Sequence, residues 1–123
     1  MTQIRLLNVN KSYGQTRAVI DVEQVFPESE ITVLLGHSGC GKTTTLRLVA
    51  GLEKPDSGEI WIGDRQVSGG RSWLPAAKRQ IGMVFQEANL LPWRNLTKNV
   101  HFPFEIKKTK PDLEWIDHLL ERV

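Results

Sequence analysis

At 123 residues the chain is long enough for one domain with a real core, and its 40% hydrophobic and 24% charged residues are ordinary globular values. A net charge of +2, from 16 basic against 14 acidic residues, is too small to argue for a nucleic-acid partner. One cysteine excludes an internal disulfide and fits a reducing compartment, and neither a signal-peptide core nor an apolar run near the roughly 18 residues of a membrane span is present, so a cytoplasmic chain is expected.

Residues 4–9 and 19–26 read as short strands, broken near Tyr13-Gly14 and closed by Pro27-Glu28-Ser29-Glu30. Residues 31–35, Ile-Thr-Val-Leu-Leu, are apolar at four of five positions, which predicts a parallel strand covered on both faces. After a glycine loop, Leu46, Val49 and Ala50 recur at helical spacing, and Gly51 is placed to end that helix. Lys54-Pro55-Asp56-Ser57-Gly58 is turn chemistry ahead of a strand over 59–62. Ser68-Gly69-Gly70 reads as a flexible loop, 76–80 as a helical turn and 81–85 as another strand. From Glu87 onward, proline, tryptophan and short helical segments replace strands. Lys107-Lys108-Thr109-Lys110-Pro111 reads as a solvated connection, and Leu113, Ile116, Leu120 and Val123 as one face of an amphipathic helix. That helix has neither a glycine cap nor a following breaker, so the chain reads as cut rather than finished.

The glycine loop carries the chemistry. Gly36, Gly41, Lys42 and Thr43 satisfy G-x-x-x-x-G-K-[ST] between a predicted strand and a predicted helix. Glycines at 36, 39 and 41 permit backbone angles closed to other residues, so that successive N–H groups converge on one anion. A helix starting near Lys42 adds roughly half a positive charge at its N-terminus. Lys42 can reach terminal phosphates, and the Thr43 hydroxyl can hold Mg²⁺. Ser38, Cys40 and Thr44 complete the predicted nucleotide-binding set, Cys40 either as a small residue with an idle side chain or as a thiol favoured toward thiolate by the helix start and Lys42; His37 occupies a permissive loop position.

With these residues in view, the chain resembles the ATP-binding subunit of ABC transporters along essentially its whole length. "NVNKSYGQTRAV" resembles that family's opening strand, with Tyr13 at the position of the aromatic that stacks on adenine. "VAGLEKPDSGEIWIGD" resembles the helix exit and turn after the phosphate loop, and "RQIGMVFQEANLLPWRNLTKNV" the glutamine-loop segment, with Gln86 ending its strand. A tyrosine face offers stacking of about 1–3 kcal/mol per base, and the Gln86 amide oxygen suits Mg²⁺ or the attacking water. The resemblance implies an α/β P-loop NTPase core over residues 1–86 and the start of the ABC helical lobe over 87–123, an incomplete domain. It implies ATP and Mg²⁺ as cofactors, a second ATP-binding subunit and membrane-spanning permease subunits as partners, and a place peripheral to the inner face of the cell membrane. Leu90, Leu91, Pro92 and Trp93 are either core of the helical lobe or the dock for a permease helix. "LLPWRN" also resembles the importer branch associated with nitrate, sulfonate and taurine.

Cleavage in that family needs an LSGGQ-type signature, an apolar strand ending in Asp-Glu, and a switch histidine, all expected beyond Val123. "VSGGR" at 67–71 precedes the glutamine loop and reads as turn glycines; "AVID" and "EWID" match the Asp-Glu strand only loosely, and His101 and His118 follow no such strand. The expectation is ATP binding with little or no turnover. A non-hydrolysing ATP-binding or interaction module is the alternative, and a small phosphate-loop kinase a third, weakened by the absence of arginines near Lys107.

Overall fold

The computed structural model describes residues 2–122. Two compact units divide the chain, Met1–Met83 and Val84–Val123. In the first, β1 (Ile4–Tyr13) and β2 (Thr16–Phe26) form an antiparallel hairpin. Gly14, at φ +58, supplies the left-handed angle that a two-residue hairpin turn needs. β3 (Ser57–Ile62), β4 (Arg65–Gly69) and β5 (Ser72–Trp73) extend the sheet in the order β2-β1-β3-β4-β5, antiparallel throughout.

Strict alternation along β1 would turn Leu6 and Asn8 inward, yet Leu6 and Val9 are the fully buried pair. Asn8 adopts φ +48, and the register with both neighbouring strands shifts beside it. Asparagine tolerates that angle better than a branched residue, and the bulge resets which side chains face the core. Gly58 of β3, at φ +90, lies so close to the Asn8 carbonyl that a Cβ there would collide with it.

Helix α1 (Lys42–Ala50) closes this core: Leu48 and Val49 join Leu6, Val9, Val19, Ile60 and Val67 in one buried cluster. Burying side chains of this size contributes about 1.5–3 kcal/mol each. The inward face is Thr45, Leu48 and Val49, while Leu46, expected on it, is half exposed. Thr45 tolerates burial because its hydroxyl donates to the Gly41 carbonyl at 2.9 Å. Gly51, at φ +77, ends the helix as its position predicts; its amide reaches Leu48 O and the Leu52 amide reaches Arg47 O, a Schellman closure.

A buried arginine ties this helix to its surroundings. After a single 3₁₀ turn at Ala76–Lys78, Arg79 donates to the carbonyls of Leu74 (2.6 Å), Leu48 (2.7 Å), Val49 (2.9 Å) and Val67 (3.3 Å). Burial lowers its pKa from the ordinary guanidinium value. The charge lies against the last carbonyls of α1, where the helix dipole favours a cation.

Two strand expectations fail. Residues 31–35 and 81–85 pair with no strand among the described residues, and much of their apolar surface lies open: Ile31 is 96%, Leu35 89% and Val84 98% exposed, while Leu34 and Met83 are half-buried and Ile81 packs on the core. An apolar run becomes a buried parallel strand only with hydrogen-bonding neighbours on its flanks, and the strands present pair among themselves. Gln86 consequently ends no strand but lies in an exposed bend. Ser68 and Gly69, expected in a flexible loop, belong to β4, with Ser68 buried.

In the second unit, α2 (Leu96–Lys107) starts at Asn95, whose side chain accepts from the Lys98 amide. α3 (Leu113–Leu120) starts at Asp112, which accepts from the Trp115 amide. The Asn99 side chain holds the segment before α2, accepting from Leu91 N at 2.7 Å and donating to the carbonyls of Leu91, Arg94 and Asn95. Of the predicted face of α3, Ile116 is buried, Leu113 is exposed and Val123 lies outside the described residues. Residues 107–110 are exposed, as a solvated connection should be.

Candidate phosphate-binding site

The loop 36–41 enters α1 through Gly41, at φ +93, whose Cα faces the Ala18 carbonyl of β2 so closely that a Cβ would overlap it. Gly39, at φ +79, gives the second left-handed turn. These angles, with the close approach at Gly41, are the physical reason for glycine here. The first helical bond is Thr45 N to Gly41 O, 2.8 Å, so the amides of Lys42, Thr43 and Thr44 are the ones any helix start leaves without intrahelical partners. No acidic residue stands in the first turn to offset the positive end of the dipole.

Lys42 folds back across the loop. Its ammonium donates to Gly36 O at 2.5 Å and His37 O at 2.6 Å, and lies 3.4 Å from Cys40 Sγ. Because a trans peptide points its N–H opposite to its carbonyl, fastening these two carbonyls turns the His37 and Ser38 amides away from the ammonium. Ser38, Gly39, Gly41, Lys42, Thr43 and Thr44 line, with Ala18, a pocket of about 250 Å³. Cys40 lies on an adjoining hollow with Arg17, Val19, Ile20 and Thr45. The arrangement offers clustered main-chain donors, one ammonium and exposed hydroxyls: a seat for a polyphosphate.

Tyr13 closes β1 opposite Thr16, at the hairpin end whose Ala18 borders the pocket, and is 43% exposed. Lys11 Nζ lies over its ring, 5.3 Å from the centroid. Gln86, Leu90 and Trp93 are exposed and belong to the second unit. Val67 of "VSGGR" is buried in β4, "AVID" lies within β2, "EWID" within α3, and His118 stacks on Trp115 at 5.7 Å between ring centroids. Sequence reasoning missed Lys11 and Arg79, whose partners include backbone carbonyls far along the chain.

A glycine loop that feeds a helix and is bridged by the loop's own lysine has the form of a phosphate loop. The family model described as ABC transporter matches residues 19–123, and the chain belongs to that family. It is 42% identical over 110 residues to the trehalose/maltose import ATP-binding protein MalK of Thermococcus litoralis, a match covering 88% of this chain and 30% of that protein. It is 43% identical over 115 residues to the sulfate/thiosulfate import ATP-binding protein CysA 2 of Agrobacterium fabrum, covering 94% and 33%. Among solved structures, the ATP-binding cassette MJ0796, a dimer bound to ADP and Pi, matches with a TM-score of 0.77 and 31% identity over 96% of this chain and 54% of that one. The fold is thus that of an ABC ATPase cassette, and the chain spans about a third of the length of the curated relatives it matches. No helix among the described residues is long and apolar enough to cross a membrane.

Proposed function

We infer that this chain is the nucleotide-gripping portion of the ATP-binding subunit of an ABC importer. The observation that carries this reading is the loop itself: Lys42 bridged to Gly36 and His37, beside the pocket lined by Ser38, Gly39, Gly41, Thr43 and Thr44. ATP would place its phosphates there and its adenine on Tyr13. Mg²⁺ would accompany the nucleotide, since that ion is commonly held by a few oxygen donors together with substrate phosphates. Thr43 is the oxygen donor the loop would contribute, and the ion would neutralise phosphate charge.

The whole subunit would pair with a second ATP-binding subunit, lie peripheral to the membrane on its inner side and couple hydrolysis to solute uptake through permease subunits. The exposure of Leu90 and of Trp93, at 76%, favours a permease dock over lobe core for these two residues, whereas Leu91 is half-buried, because aromatic anchors dominate interfaces. Similar identity to relatives named for sugars and for sulfate leaves the solute to be read from other subunits.

Binding and cleavage separate here. The signature, the Asp-Glu strand and the switch histidine implied by the resemblance are not among these 123 residues, and a positioned base alone contributes about 10²–10⁴-fold. Purified chain should therefore release phosphate from MgATP at the rate of its Lys42→Ala variant. Release well above that variant would contradict the reading and make the chain a working ATPase.

A further inference from the structure

Lys11 is absent from the phosphate loop, yet it is the most heavily anchored cation near the adenine side of the seat. Its ammonium donates to the Lys54 carbonyl at 2.8 Å and lies 3.8 Å from Glu53 Oε2 and 3.7 Å from Asp56 Oδ1. Its side chain keeps only 14% exposure. The turn that holds it is itself laced to β1: Asp56 Oδ2 accepts from Ser12 N at 2.7 Å, and Asp56 N donates to Asn10 O at 2.9 Å. The same ammonium lies 5.3 Å from the centroid of the Tyr13 ring.

We propose that Lys11 is a positioning residue for the base of the nucleotide: it fixes the Tyr13 ring from one face so that the other stands ready for adenine. The proposal rests on the reading of Tyr13 as the adenine platform. A half-exposed tyrosine at a hairpin end would otherwise sample several rotamers, and binding would have to order it. A cation held under the ring by a carbonyl and two carboxylates removes that requirement, because attraction to the ring face favours one ring orientation. The effect acts through position and leaves the phosphate grip alone. It also ties the base platform to the turn that follows α1.

The test measures equilibrium affinity for MgATP and for magnesium tripolyphosphate, which has no base, in the chain and in Lys11→Met, Lys11→Arg and Tyr13→Ala. The expected result is a two- to fivefold loss for MgATP in Lys11→Met, about the value of a modest cation–π contact, with tripolyphosphate affinity unchanged and most of the loss restored in Lys11→Arg. Equal losses for both ligands would make Lys11 a support of the fold alone and overturn the proposal. If Tyr13→Ala lowers MgATP affinity selectively while Lys11→Met does not, the platform stands and the role of Lys11 fails. If Tyr13→Ala leaves the preference for MgATP intact, the platform reading fails and the proposal falls with it.

Discussion

Cys40 offers a direct report on the loop, because its sulfur lies 3.4 Å from the Lys42 ammonium in an exposed segment. A triphosphate seated on the neighbouring amides would cover this segment and draw the lysine toward it. MgATP should therefore slow alkylation of Cys40 severalfold, followed by mass spectrometry; equal rates with and without nucleotide would contradict the assignment. At this scale the form of the loop was legible because glycine, lysine and threonine stand at fixed spacing within eight positions. Lys11 and Arg79 were not, since what fixes them is tertiary: Lys11 meets a carbonyl 43 residues away and Arg79 one 31 residues away. A lone basic residue in a sequence does not announce such partners, and main-chain acceptors leave no mark in side-chain pattern. The bulge at Asn8 was hidden for a related reason, because alternation is read on the assumption that no residue is inserted.

Elements were legible wherever the chain supplies their packing partners. The β1–β2 hairpin, β3, α1 and its glycine stop all lie near the positions that periodicity and turn chemistry predict. Residues 31–35 and 81–85 show the converse: their composition is that of buried strands, and the described residues give them no ladder. Their exposure has a measurable consequence. Val33→Lys, at a position 69% exposed, should change the unfolding free energy of this chain by less than about 0.5 kcal/mol. Urea denaturation would detect the roughly 2 kcal/mol or more expected if the segment were packed, and a loss of that size would contradict the structure. The same substitution should reduce self-association, since an exposed apolar run is a ready surface for other chains.

For the whole molecule, the sequence carried the family, because its motifs are spread along the chain and the family model matches residues 19–123; Gln86 and the phosphate loop belong to separate compact units. The central claim concerns the first unit alone, that main-chain amides around Gly39–Thr44 and the Lys42 ammonium together hold the tail of ATP. Calorimetric titration of MgATP into chain shown to be folded by circular dichroism tests it most directly, with Lys42→Ala alongside. The account predicts a saturable heat that weakens about tenfold or more in the variant, the value of one or two charge-assisted hydrogen bonds. No saturable heat with the folded chain, or an identical isotherm from Lys42→Ala, would contradict it.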